Sequence, residues 1–201
     1  MRVFDVRATT FGRPLVRLWA GSLTVLVVVG AATALILLWH SPGRSPRSNQ
    51  SSPERPASSS LLVHENGAAG YSFEYPRTWK VERAGTVSTV TSPGELAVVS
   101  FGSHMPSADL LQTARRLIGL MSRTYGGVRM GAPRMEAING ALAFLRHGRA
   151  TNMAGEDLRF LVAAINGPTR TFGVVGFAKA STPAALHQAL TDVVNSFRAR
   201  P

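Results

Sequence analysis

Apolar and polar positions divide this chain into three stretches of different character. From Leu18 to Trp39 there is no charged residue, and eleven positions are Leu, Ile or Val. Trp19 and Trp39 bracket the run, and the twenty helical steps between them span about 30 Å, the hydrocarbon thickness of a bilayer. Both rings then fall at headgroup depth, where tryptophan is favoured. The aliphatic side chains supply about −3 to −7 kcal/mol toward insertion. Residues 18–39 therefore read as a single transmembrane helix. Ala32-Thr33-Ala34 looks like a cleavage site, but Leu35 to Trp39 continue the apolar run beyond it, so the helix reads as an uncleaved signal anchor. Arg2, Arg7, Arg13 and Arg17 precede it and place residues 1–17 in the cytoplasm, with the long C-terminal part outside.

From Ser41 to Ser60 the pattern has no period at all. Twelve of these twenty residues are Ser or Pro and none is a large apolar residue, so the segment cannot bury enough surface to offset its ordering entropy. Residues 40–60 are a disordered tether, with a reach of about 25 Å as a coil and about 60 Å in polyproline form.

Periodicity returns at Leu61, and residues 61–201 have the length of one globular domain. Leu110, Leu111, Ala114, Leu117, Ile118, Met121 and Tyr125 recur at helical spacing. Ser107 offers an N-cap, Asp109 suits the helix dipole, and Gly126-Gly127 ends the helix. A second helix begins at Thr182-Pro183, with Leu186, Leu190, Val193, Val194 and Phe197 along one stripe. Between them Asn139-Gly140 marks a hairpin, and Asn152 to Glu156 and Asn166-Gly167-Pro168 mark two further reversals. Earlier strands fall at Tyr71–Tyr75, Thr86–Thr91 and Leu96–Phe101. In the strand Asp157–Ile165, Leu158, Phe160 and Val162 oppose Leu161, Ala163 and Ile165. In the strand Arg170–Ala178, Phe172, Val174 and Ala178 oppose Val175 and Phe177. Strands apolar on both faces are covered on both faces. One helix on each side gives an α+β fold, a three-layer α/β/α sandwich around a central, mostly antiparallel sheet.

Charge changes this picture less than the whole-chain figures suggest. The net charge is +11, yet residues 61–201 carry fifteen basic and nine acidic residues, a net of +6. A domain outside the cytoplasm meets no nucleic acid, so none is expected as a partner. The absence of cysteine excludes disulfides and thiolate chemistry. Arg115, Arg116 and Arg123 lie on the polar side of the first helix, and Arg146 and Arg149 on the strand after Asn139-Gly140. Solvated faces explain them most simply; if an anion is bound, phospholipid headgroups or envelope polymers are the nearest candidates.

Gly70-Tyr71-Ser72-Phe73-Glu74-Tyr75-Pro76-Arg77-Thr78-Trp79 resembles the opening motif of Mog1/PsbP-like domains, and Asp192 to Arg198, with its Ser196-Phe197 ending, resembles their terminal helix. Ile138-Asn139-Gly140 followed by a meander is similar as well. Bacterial members of that family include LpqN-like envelope lipoproteins of actinobacteria, which suits a chain with twenty arginines and two lysines. Here a transmembrane helix stands where those have a lipid anchor. The resemblance implies an α/β/α fold and a partner-binding or accessory role, and it brings no catalytic residues.

Catalytic constellations are absent from the sequence. There is no Gly-x-Ser-x-Gly turn, and His64-Glu65 lacks the second histidine of a zinc helix. His104, His147 and His187 have no ligand-like spacing, and Glu156-Asp157 sits in a polar turn. Gly126, Gly127 and Gly131 follow a helix, whereas a phosphate loop precedes one. No catalytic, cofactor or metal residue is assigned. Tyr71, Phe73, Tyr75 and Trp79 read as core, with an acyl-chain pocket as the sharper alternative. The expected function is a non-enzymatic, membrane-anchored extracytoplasmic domain that binds a protein partner in the cell envelope; the competing reading is a carrier or sensor of a lipid or other hydrophobic small molecule.

Overall fold

A computed structural model describes residues 60–106 and 109–200. The anchor, the spacer up to residue 59 and Ser107 lie outside them, and among the described residues no helix is long and apolar enough to cross a membrane.

Among the described residues eleven strands and two α-helices follow one another as β1 (Leu61–Asn66), β2 (Tyr71–Pro76), β3 (Lys80–Ala84), β4 (Val87–Thr91), β5 (Ala97–Pro106), α1 (Leu110–Thr124), β6 (Gly126–Met130), β7 (Arg134–Ile138), β8 (Ala141–Thr151), β9 (Asp157–Asn166), β10 (Arg170–Lys179), α2 (Ala184–Asn195) and β11 (Arg198–Ala199). The main sheet has the order β3-β4-β5-β10-β9-β8-β6, with β7 also pairing to β8. Every strand pair is antiparallel.

The face pattern of β9 and β10 is realised residue by residue. Leu158, Phe160, Val162, Val175 and Phe177 cluster with Leu117 and Met121 of α1. Leu161, Ala163, Ile165, Phe172, Val174 and Ala178 cluster instead with Leu190, Val193 and Val194 of α2. The two helices thus lie on opposite faces of the sheet. A second sheet of three strands, β1-β2-β11, shares the α2 side, so Tyr71–Pro76 is not part of the main sheet.

The hairpin at Asn139-Gly140 forms between β7 and β8, with both residues at positive φ (47° and 82°), the backbone that Asn-Gly favours. Its tip does more than turn. Asn139 Nδ2 donates to the carbonyls of Asn195 and Phe197 at 2.9 and 2.8 Å, satisfying acceptors at the end of α2 that the helix itself leaves open.

Several element ends differ from the sequence reading. Asp109 is the N-cap of α1, its Oδ1 accepting the Leu111 N–H at 3.1 Å. Tyr125 is already extended, and Gly126 and Gly127 open β6 instead of forming a helix cap. Gly126 pairs with Thr151 of β8, and the register shifts before Arg129 meets Arg149. Pro183 caps α2 from outside, and Phe197 lies past its end, fully buried.

Candidate functional site

The motif at residues 70–79 builds the core. Tyr71, Phe73 and Trp79 are buried, and Tyr71 and Phe73 join Phe101, Phe172 and Phe197 in one aromatic cluster with ring centroids 4.2 to 6.3 Å apart. The space under α2 is occupied by rings. Tyr71 also donates through its hydroxyl to the Phe101 carbonyl at 3.2 Å. Ser196, at the other end of the chain, accepts the Glu74 N–H at 2.8 Å and pins α2 to β2.

His64 belongs to a buried polar network. Its Nε2 lies 3.0 Å from Ser88 Oγ, and Asn66 Nδ2 donates to Ser88 Oγ, Gly85 O and the Tyr71 hydroxyl. These bonds clamp the β1–β2 hairpin to the β3–β4 hairpin. Glu156 accepts from Lys179 at 2.6 Å and from Asn152 at 2.8 Å, while Asp157 lies 3.4 Å from Thr151 Oγ1. The adjacent carboxylates have separate structural partners and do not converge. The His104 side chain is outside the described residues, and among those described no group of three metal-ligating side chains converges.

The five arginines singled out in the sequence do not form one surface. Arg146 shares the α1 face with its neighbour Val162 and donates from Nε to the Gly131 carbonyl at 2.8 Å. Arg149, three residues on, points to the opposite face. There the register sets it beside two arginines that sequence spacing does not connect to it, Arg129 of β6 and Arg159 of β9. Two adjoining clefts, of about 370 and 260 Å³, run from this row to the start of α2 and share His147 and Arg159 in their walls. His187 lines the second cleft. Its Nε2 donates to Thr182 Oγ1 at 2.9 Å, because the Thr182 hydrogen is directed to the Lys179 carbonyl at 2.7 Å.

Burial holds the pKa of His64, His147 and His187 below the usual histidine value. A nearby arginine adds to the effect in each case: Arg83, Arg134 and Arg159 respectively, with Glu136 opposing it at His147. Below pH 6.5, the ordinary value, the unfolded chain takes up protons that the folded domain refuses, so stability is lost as pH falls. Urea unfolding at pH 7.5 and at pH 5.5 checks this, with a lower midpoint expected at the lower pH. An unchanged or higher midpoint contradicts it.

A second surface is apolar. On the α1 face Met135 of β7 pairs with the buried Phe144, and Ala137 pairs with Leu142. Met135 and Leu142 are 54% and 49% exposed, beside the small core under the first turns of α1 that Phe144 forms with Leu110 and Ala114. The outer edge of β7 has no partner strand among the described residues. The opposite edge, β3, is guarded by the exposed Lys80–Glu82 ion pair, the usual device against pairing.

The topology invites comparison with known structures. Cyanobacterial PsbP from Synechocystis aligns over 74% of this chain and 98% of its own at TM-score 0.55 and 13% identity. The Ran-binding protein Mog1p of Saccharomyces cerevisiae aligns over 71% and 96% at TM-score 0.52 and 11% identity. The fold is that of PsbP and Mog1p. LpqN of Mycobacterium tuberculosis, involved in cell envelope biogenesis, aligns over 73% and 87% at TM-score 0.45 and 11% identity, too low to bear on the assignment. No family model matches the chain, and no curated protein matches its sequence. The resemblance seen in Gly70–Trp79 and Asp192–Arg198 is thus a resemblance of fold, and those residues are its core and its clasps.

Proposed function

We propose that this chain is a non-enzymatic binding module, tethered to the cell membrane by residues 18–39 and held outside the cytoplasm by its Ser/Pro spacer. Its partner is another envelope protein, which docks on the β7 edge. The exposed apolar side chains of Met135 on β7 and Leu142 on β8, beside an outer edge of β7 that has no partner strand among the described residues, carry the reading, because such an edge offers both backbone hydrogen bonds and side-chain pockets to an incoming segment. The uncharged run and the spacer support the tether. The ring-filled space under α2 speaks against a lipid carrier, and the separated carboxylates and histidines speak against a hydrolase.

Native mass spectrometry of the full chain, extracted from its own membranes, tests the proposal. A stoichiometric protein partner is expected with the wild type and is lost from the Met135→Asp/Leu142→Asp variant. Both positions are exposed, so the variant should keep its stability within about 1 kcal/mol. A lipid adduct on the domain in place of a protein would overturn the proposal, and a partner retained by the variant would move the site elsewhere.

A further inference from the structure

Arg129, Arg149 and Arg159 stand directly opposite one another on three neighbouring strands, in the cross-strand register Arg129↔Arg149 and Arg149↔Arg159. Neighbouring strands are about 4.8 Å apart, so the row spans about 10 Å of sheet. Like charges in directly opposed positions destabilise a sheet. None of the three forms an ion pair or a side-chain hydrogen bond among the described residues. The nearest acid along β9, Asp157, is two residues from Arg159 and is engaged by Thr151; Glu136 lies across the face toward His147.

No carboxylate lines the cleft beside the row. His147 lies between its two parts and His187 lines its far wall. Ala184, the first residue of α2, borders it as well. That helix has no side-chain cap and no acidic residue in its first turn; the Leu186 N–H is taken by the Pro183 carbonyl at 3.0 Å, and the positive dipole end faces the cleft without a compensating charge of its own. Guanidinium groups, imidazoles and a helix N-terminus around one cleft are complementary to phosphate oxygens. We propose that the Arg129–Arg149–Arg159 row and the cleft running to α2 form a binding site for a phosphate-bearing group of at least two negative charges, free in solution or carried as a lipid headgroup. The site lies on the α2 face, opposite the apolar Met135–Leu142 row, and does not depend on it.

The test uses the full chain in phosphatidylcholine nanodiscs, titrated with inorganic pyrophosphate or with a short-chain phosphatidic acid. Saturable binding is expected, and Arg149→Gln/Arg159→Gln is expected to weaken it by about tenfold per arginine. Because the substitutions relieve like-charge repulsion, the unfolding midpoint of the double variant should stay level or rise. Binding should also raise the titration midpoints of His147 and His187, followed by NMR. Tighter binding of phosphatidic acid supports a headgroup as the occupant, and tighter binding of pyrophosphate supports a soluble phosphate. No binding of either at millimolar concentration overturns the proposal. So does binding that the double variant retains, or loss of binding together with a fall in the unfolding midpoint, which would make the arginines structural.

Discussion

Phe101→Ala is expected to cost about 3–5 kcal/mol of folding stability. Phe101 is 1% exposed and stacks on Phe73 with centroids 4.2 Å apart and planes 12° from parallel. It also meets Tyr71 and Phe197, at 6.1 and 6.0 Å. Through these rings it joins β5 of the main sheet to β2 of the small sheet and to the segment after α2. The void would not collapse easily, because each neighbour is fixed by more than packing. Tyr71 is held by its hydroxyl on the Phe101 carbonyl, and Phe197 by its own carbonyl, which accepts from Asn139. With a total stability of about 5–15 kcal/mol for a domain of this kind, the loss would lower the urea midpoint by about 2 M. Phe177→Ala makes a useful control. Phe177 is on the opposite face, 8% exposed, and packs chiefly with Phe160, Tyr125 and α1. Its removal leaves the joint between the two sheets intact. A smaller loss for Phe101→Ala than for Phe177→Ala would contradict a central role for the aromatic joint.

The strands that the sequence reveals best are the ones whose surroundings are uniform. β9 and β10 are apolar on both faces, so period-two alternation sorts their residues correctly between α1 and α2. The Asn139-Gly140 turn is local chemistry and forms as read. The edge strands are harder. β3 has charges at Lys80, Glu82 and Arg83 and only Val81 half buried, and nothing in that pattern distinguishes an edge strand from a loop. The small sheet depends on β11, two residues from the far end of the chain, pairing with Ser72 and Tyr71. Local patterning does not contain such a partnership. The arginine row illustrates both sides. Arg146 and Arg149 are three residues apart on one strand, and the period of two already assigns them to opposite faces. That Arg129 and Arg159 join Arg149 follows only from the register of β6 and β9 on β8. One face of the sheet thus carries a cationic cleft and the other an apolar edge, and this separation is a property of pairing, not of composition.

Gly148 is where fold and cleft meet, and Gly148→Ala is expected to cost about 2–3 kcal/mol. A Cβ at this position would lie 2.3 Å from Phe160 Cζ and 2.8 Å from the Arg129 carbonyl oxygen. The first conflict is with a ring 3% exposed and packed in the cluster under α1, so it cannot swing aside without opening the core. The second is with the backbone of β6, which must shift as a strand. Gly148 is opposite Met130, and the next pair is Arg149 with Arg129, so a displaced β6 moves Arg129 away from its row. The variant should therefore lose pyrophosphate affinity as well as stability, although no charge is altered. Phe160→Leu removes the ring atoms nearest the new methyl but leaves the Arg129 carbonyl in place. In that background the cost of Gly148→Ala should fall to about 1 kcal/mol, a coupling of about 1–2 kcal/mol in the double-mutant cycle. Equal costs in the two backgrounds would assign the whole strain to the β6 backbone. In that case neither stability nor affinity should recover in the double variant, since only the position of Arg129 connects this glycine to the cleft.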